Sequence, residues 1–172
     1  MKDSLLLVAV LLILGSEATL WHRNPMHVPP DFLPARAIGL ELCHELSTSM
    51  EPTVRDGQHV IVSSWAYWGR EPEVGDIVAF VYPNDPSLAD LKRIIAVGGS
   101  TIEVKRGEVY VDGRRITEPY VESSIKNTYR SVSKQRIPAG SFFVMGDNRD
   151  GSEDSRDYGP ISRDRIIGKL WL

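Results

Sequence analysis

The sequence predicts a mainly antiparallel all-β fold with a short apolar helix at its N-terminus. Beyond residue 35 the apolar residues come in short runs and lack the spacing of about 3.6 residues that marks an amphipathic helix. Groups of Gly, Asp and Pro separate these runs, as turns separate strands. The predicted strands span residues 59–63, 76–82, 91–97, 101–104, 108–111, 141–145 and 165–172.

Residues 1–21 form the first predicted element. From Leu5 to Leu14 no polar residue interrupts the chain. As a helix rising about 1.5 Å per residue, this run covers roughly half of the hydrocarbon core of a bilayer. Two interpretations stay open: a short or tilted membrane anchor, or a cleavable signal segment with a small-x-small end at Ala18. Either one places the rest of the chain outside the cytoplasm.

A linker and a single domain follow. The four prolines in residues 22–34 remove backbone donors and block helix, which predicts an extended linker. A chain of 172 residues suffices for one ordinary core, so we expect one β-rich domain over residues 35–172. Within it we expect a small peripheral subdomain at 106–137. The polar stretch 118–136 is weakly periodic and predicts a loop or part of that subdomain.

Local signals also predict one hairpin and one further helical turn. Asp112 and Gly113 lie between the apolar run 109–111 and Ile116, and both residue types tolerate the positive φ of a two-residue hairpin loop. Beyond the N-terminus, we expect helix only around residues 154–158.

The composition narrows the possible partners. A formal net charge of -3 with mixed signs gives no basic surface for phosphates, so we expect no nucleic-acid partner. The single cysteine, Cys43, cannot form an intramolecular disulfide, and no Cys and His residues have the spacing of zinc ligands. We therefore expect a buried Cys43 and a protein without a metal or cofactor.

The serine segment, residues 47–53, precedes the first predicted strand. Ser49 within it is a candidate nucleophile. A serine hydroxyl is weak at its ordinary pKa and needs a base within about 3 Å. Taken alone, this segment also fits a turn in which serines cap backbone groups.

The lysine segment, residues 91–97, carries the adjacent cations Lys92 and Arg93 in an apolar strand. Side chains alternate faces along a strand and both faces here are apolar, so we expect one cation to lie beside buried surface. Burial favours the neutral form of an amine, and of the two only lysine gives up its proton in proteins. Lys92 is therefore the candidate base, although an isolated Lys-Arg pair more often forms ion pairs or reaches solvent.

The aspartate segment, residues 145–156, is polar and follows the apolar run 142–144. Its three aspartates suggest a calcium loop, but the EF-hand order and flanking helices are missing. We expect instead that Arg149 and Arg156 pair with the aspartates and stiffen the loop. Ser152 is then available to hydrogen-bond a neutral lysine amine.

Together and in this order, the segments resemble the bacterial type I signal peptidase family, which cuts leader peptides from exported proteins with a Ser/Lys dyad. The similarity covers most of residues 47–168 and implies a coiled antiparallel β-sheet, related to that of self-cleaving repressor proteases. Each motif is weak alone, but the ordered set is specific. The motifs are Ser47-Thr48-Ser49-Met50-Glu51-Pro52-Thr53, Gly75-Asp76-Ile77-Val78, Lys92-Arg93, and Gly146-Asp147-Asn148-Arg149-Asp150 through Ser155-Arg156.

The resemblance implies a role for each matched catalytic position. Ser49 would be the nucleophile and Lys92 the general base. Ser47 would contribute its side chain, and Ser49 its backbone N–H, to the oxyanion hole. Ser152 would orient the lysine.

The resemblance also implies supporting residues, a substrate and a location. Asp154 and Arg156 match the family's supporting ion pair, and we expect Met50 and Pro52 to shape the substrate pocket. The substrates would be signal peptides of preproteins, extended along a strand edge with small side chains in two shallow pockets. The catalytic domain would lie on the extracytoplasmic side of the cell membrane, with an apolar surface on the lipid.

Three alternatives stay open. A peptidase dedicated to a secretion or conjugation system would carry the same motifs. A catalytically silent binding module of this fold would be expected to have lost a catalytic group, whereas Ser49, Lys92 and Ser152 are all present. A self-cleaving repressor would need a DNA-binding domain ahead of the protease, and the first 34 residues are apolar and then rich in proline.

Overall fold

The computed structural model describes residues 39–122 and 130–171, and the regular secondary structure of this part of the chain is almost entirely β-strand. Its helical pieces are α1 (Ser155–Tyr158) and 3₁₀ turns at Ser64–Tyr67 and Arg163–Arg165. The strands are β1 (Leu40–His44), β2 (His59–Ser63), β3 (Ile77–Val81), β4 (Ala89–Val97), β5 (Thr101–Lys105), β6 (Glu108–Val111), β7 (Arg114–Arg115), β8 (Val132–Arg136), β9 (Ser141–Met145), β10 (Ile161–Ser162) and β11 (Ile166–Trp171).

The described strands form two antiparallel sheets. The larger has seven strands in the order β1-β2-β11-β3-β4-β9-β10, and the smaller has four in the order β7-β6-β5-β8. The predicted all-β class is therefore confirmed. The expected apolar helix and the linker at 22–34 lie outside the described residues. None of the helices in the described ranges has the length and apolar character needed to cross a bilayer.

All seven predicted strands are present, and the four that the sequence analysis missed, β1, β7, β8 and β10, are the outermost strands of the two sheets. An edge strand pairs on one side only and keeps more of its surface in water, so its sequence lacks a strong apolar alternation. In β8, four of five side chains are exposed. This strand replaces part of the loop expected at 118–136.

The hairpin predicted at Asp112 and Gly113 is confirmed. Tyr110 pairs with Arg115 and Val111 with Arg114, which leaves a two-residue loop between β6 and β7. The φ angles of Asp112 and Gly113 are 50° and 77°. Positive φ at both positions is what a type I′ turn requires.

Strand β4 is paired on both sides, with β3 and with β9. The register places Lys92 opposite Val78, and Arg93 opposite both Ile77 and Met145. Because two neighbours fix its backbone, β4 presents its polar side chains at defined positions.

The turn after β1 is anchored in the core by Met50 and Val54. Both are fully buried and pack in a cluster with Ile77, Ala79 and Leu91. Burial of a side chain the size of methionine stabilises a fold by about 1.5–3 kcal/mol. This packing holds the turn that contains the candidate nucleophile against β3 and β4. The buried Cys43 belongs to the same cluster, as expected.

The two sheets share one apolar cluster. Ile95 and Phe143 of the larger sheet pack with Ile102 and Val109 of the smaller. The smaller sheet begins at β5, so it includes a strand that precedes the region 106–137. The division of that region into a peripheral subdomain stays a prediction.

Candidate active site

Asp147 joins the three polar segments singled out in the sequence. Its carboxylate accepts a hydrogen bond from Thr53 Oγ1 at 2.5 Å. It also accepts two from Arg93, from Nε at 2.9 Å and from Nη2 at 2.6 Å. Because Asp147 is fully buried, solvent screens this ion pair weakly. The serine, lysine and aspartate segments therefore meet at one buried carboxylate.

A second set of contacts fixes the backbone of Ser49. The N–H of Asn148 donates to the Ser49 carbonyl at 3.0 Å, and its side-chain amide donates to the Thr48 carbonyl at 3.1 Å. Gly146 permits this close approach. A Cβ there would lie 2.5 Å from the Ser49 carbonyl oxygen and would overlap the Ser152 side chain. The position of Ser49 thus depends on a glycine at residue 146.

Ser49 and Lys92 lie at the centre of the site. Lys92 Nζ is 3.0 Å from Ser49 Oγ. Only 1% of Lys92 and 5% of Ser49 are exposed. A neutral amine at this distance is able to accept the hydroxyl proton, which turns the serine into a nucleophile.

Lys92 has two further partners, one of which the sequence analysis missed. Its Nζ donates to Asp90 Oδ1 at 2.5 Å and to the Leu91 carbonyl at 3.0 Å. Asp90 and Lys92 are two residues apart on β4, so their side chains share a face of the sheet. The spacing of two residues on a predicted strand is the signal in the sequence that indicates this contact.

Ser47 lies beside the nucleophile and contacts a second carboxylate that the sequence analysis missed. Its Oγ is 3.0 Å from Ser49 Oγ and 2.5 Å from Glu45 Oε1, and it accepts the Ser49 N–H at 3.3 Å. A hydroxyl has one proton, and the short distance shows that Ser47 donates it to Glu45. Burial raises the pKa of Glu45, and the hydrogen bond from Ser47 offsets this only in part.

Ser152 is buried in the aspartate segment and forms a different contact from the one expected. Its Oγ donates to Asp154 Oδ2 at 2.9 Å. In the described chain the hydrogen-bond partners of Lys92 are Ser49, Asp90 and the Leu91 carbonyl. The structure therefore places Ser152 near the site without a hydrogen bond to the lysine.

The Asp154–Arg156 ion pair stiffens the aspartate segment. Arg156 Nη2 lies 2.7 Å from Asp154 Oδ2, and both side chains are buried. Burial alone would raise the pKa of Asp154, but the hydrogen bond and charge of Arg156 outweigh it and hold this pKa below its ordinary value. The same carboxylate accepts the Gly146 N–H at 3.0 Å and caps α1. For Arg149, the ion pair in the structure is with Glu118, not with the expected aspartates.

A cleft of about 280 Å³ opens beside the nucleophile, which we call the Ser49 cleft. Tyr82 Oη donates to Glu153 Oε1 at 2.6 Å and so joins two parts of its wall. A reacting carbonyl placed here would lie next to both Ser49 and Lys92. The cleft is lined by Ser47, Ser49, Tyr82, Leu88, Ala89, Asp90, Lys92, Gly151 and Glu153.

The two residues expected to shape the substrate pocket lie elsewhere in the site region. Met50 is fully buried in the core cluster beneath the serine turn, and Pro52 is exposed. Neither is among the described residues that line the Ser49 cleft. Met50 affects the site indirectly, because its packing in the core holds the turn that carries Ser49.

Two carboxylates of the aspartate segment form ion pairs with arginines. Asp147 binds Arg93, and Asp154 binds Arg156. Over residues 39–122 and 130–171, no three His, Cys, Asp or Glu side chains are placed to hold one metal ion.

Comparison with known proteins gives a consistent set of relatives. A family model described as "Signal peptidase, peptidase S26" matches residues 32–172. The "Probable signal peptidase I-1" of Synechocystis sp. is 32% identical over 174 residues, which covers 97% of this chain and 79% of the relative. The "Signal peptidase IB" of Staphylococcus aureus is 35% identical over 138 residues, or 71% of each chain.

One solved structure shows the same similarity in three dimensions. The crystal structure of a signal peptidase I from Enterococcus faecalis V583 superposes with a TM-score of 0.53 at 29% sequence identity. The superposition covers 59% of this chain and 98% of that one.

Proposed function

The chain belongs to the signal peptidase family, peptidase S26, and from this premise we propose that it cleaves signal peptides with Ser49 as nucleophile and Lys92 as general base. Members of this family are serine peptidases that hydrolyse a peptide bond to remove signal peptides from preproteins, and this chain is one of them. The resemblance read from the sequence is thus confirmed at the level of the family.

The observation that carries the proposed roles is the buried contact between Ser49 Oγ and Lys92 Nζ at 3.0 Å. The contact lies at the floor of an open cleft, where a peptide has access. Burial favours a neutral amine, and an arginine in this position would keep its proton. Lys92 is therefore the group in contact with Ser49 that is able to act as a base.

The proposed reaction has two stages. In the first, neutral Lys92 accepts the Ser49 proton while Ser49 Oγ attacks the scissile carbonyl, and the lysine then protonates the leaving amine. In the second, Lys92 takes a proton from water as the water attacks the acyl-enzyme carbonyl, and passes it to Ser49 Oγ as the ester bond breaks. Ser47 Oγ and the Ser49 N–H stabilise the oxyanion in both stages. To do so, the Ser47 hydroxyl must turn away from Glu45, and the Ser49 N–H must exchange Ser47 Oγ for the oxyanion.

The size of the Ser49 cleft supports a substrate with small side chains at the cleavage site. We propose that the signal peptide lies extended, with alternate small residues facing the cleft. Tyr82 and Glu153 limit the space on one side, through their hydrogen bond at 2.6 Å. A small-x-small sequence such as Ala-x-Ala fits this geometry.

We propose that an exposed tryptophan surface rests on the bilayer at the extracytoplasmic side. Trp65 is 53% exposed, Trp68 76% and Trp171 66%. Tryptophan prefers the membrane–water interface because its ring is apolar and its N–H is polar. Leu46 is also exposed and precedes Ser47, so its contact with the bilayer would place the active site close to the lipid surface.

Cleavage of a preprotein with an Ala-x-Ala site, followed by mass measurement of the products, tests the proposed roles. The parent chain should cut after the second small residue and Ser49→Ala should not, whereas exposed Ser131→Ala should cut like the parent. An intact preprotein with all three proteins would favour a catalytically silent module. Cleavage by Ser49→Ala at the parent's rate would remove Ser49 from the mechanism.

A further inference from the structure

The hydrogen bonds of Lys92 leave one direction for a lone pair. Its Nζ has three acceptors around it: Ser49 Oγ at 3.0 Å, Asp90 Oδ1 at 2.5 Å and the Leu91 carbonyl at 3.0 Å. A neutral amine has two N–H bonds and one lone pair. If Asp90 and the Leu91 carbonyl accept the two N–H bonds, the lone pair points at Ser49.

We propose that Asp90 is the positioning residue that aims the Lys92 lone pair at Ser49. The proposal rests on the proposed function of Ser49 and Lys92. It adds a carboxylate that neither the motifs nor the family resemblance assigns.

Asp90 has this role in the structure because it is the side-chain acceptor, other than Ser49, that Lys92 Nζ contacts within the described residues. Asp90 is placed by β4 itself, two residues before Lys92 and on the same face. The strand that carries the base thus also carries its orienting group.

The other titratable groups near this pair come from three neighbouring elements. Glu45, after β1, is buried and lies within electrostatic reach of both Asp90 and Lys92. Tyr82 follows β3 and Tyr158 lies in α1; the hydrogen bond to Glu153 raises the pKa of the first and burial that of the second, so both stay neutral. Glu153 accepts the hydrogen bond from the Tyr82 hydroxyl. Asp90 is the carboxylate in contact with the amine.

Two substitutions test the orienting contact. Asp90→Asn keeps an oxygen that accepts the lysine N–H, so we expect kcat to stay within a few-fold of the parent value. Asp90→Ala removes this acceptor, so kcat should fall by about 10²-fold while KM changes little. Exposed Asp164→Ala is the matched control and should change neither constant.

A parent-like kcat in Asp90→Ala would overturn the inference, and so would equal losses of kcat in Asp90→Asn and Asp90→Ala. A second measurement does not depend on cleavage: the NMR signal of the Lys92 side chain, observed with ¹³Cε-labelled lysine at one pH, should shift in Asp90→Ala and stay in place in Asp164→Ala. If the parent cleaves nothing but this signal shifts, the proposed function fails and the Asp90–Lys92 contact stands.

Discussion

Ser49 Oγ and Lys92 Nζ are 3.0 Å apart although 43 residues separate them in the sequence. The serine turn is anchored by Met50 in the core cluster that includes Leu91 of β4, and the N–H of Asn148 holds the Ser49 carbonyl from the other side. The contact is thus fixed by packing and backbone hydrogen bonds before any substrate binds. Preorganisation of this kind lowers the barrier of a reaction because the reacting groups are already placed.

Lys92→Arg should abolish cleavage while the fold survives. Arginine keeps a cation of similar length but does not release its proton at usable pH, so the general base is lost. We expect kcat to fall by about 10²- to 10⁴-fold. Lys105→Arg, on an exposed lysine, should cleave like the parent. A Lys92→Arg protein with a parent-like kcat would show that Lys92 is not the base.

Ser47→Ala should lower kcat more than it changes KM. Its hydroxyl lies 3.0 Å from the nucleophile and is the proposed side-chain donor to the oxyanion, which exists only along the reaction path. Loss of one such donor costs about 10²- to 10³-fold in kcat. Thr48→Ala removes an exposed hydroxyl from the next residue and serves as the control. Steady-state kinetics with equal losses in both variants would argue against the role of Ser47.

Asp147→Ala should destabilise the protein strongly. It leaves the Arg93 guanidinium, which is 12% exposed, without its buried counter-charge, and it removes the partner of Thr53. Breaking one side of a buried ion pair costs about 3–5 kcal/mol. Asp150→Ala alters an exposed aspartate in the same segment and should change the free energy of unfolding little. Chemical denaturation would contradict the prediction if both variants unfolded at the same midpoint.

Acid should weaken the fold in part through Asp154. In the folded state, Arg156 holds the pKa of Asp154 low against the effect of burial. In an unfolded chain the pKa of an aspartate is about 3.9. The native protein therefore binds fewer protons than the unfolded chain, so this stabilisation is complete above the unfolded pKa and is lost as the pH falls through the folded one.

Asp154→Asn tests this dependence. The variant should be less stable than the parent at neutral pH, by about 3 kcal/mol, because Arg156 loses its counter-charge. Its free energy of unfolding should then decline less steeply below about pH 4, since this titration is absent. Asp150→Asn should follow the parent curve. Parallel pH curves for the parent and Asp154→Asn would rule out the contribution of Asp154.

Particular elements show how far the sequence could be taken. Strands inside the sheets were predicted because short apolar runs between turn residues indicate strands buried in a sheet. The edge strands β1, β7, β8 and β10 were missed because much of their surface stays in water or they are only two residues long. In the site, Ser49 and Lys92 were chosen from residue chemistry and a family resemblance, whereas Asp90 and Glu45 were overlooked.

The fold class, the turns and the family follow from the sequence alone, because short apolar runs, turn residues and ordered motifs are local properties of the chain. Which polar groups contact one another depends on the tertiary structure. It placed Asp90 on Lys92, Glu45 on Ser47, Asp154 on Ser152 and Glu118 on Arg149. The physical reason is that a hydrogen bond depends on distances of a few tenths of an ångström, and packing between distant segments sets those distances.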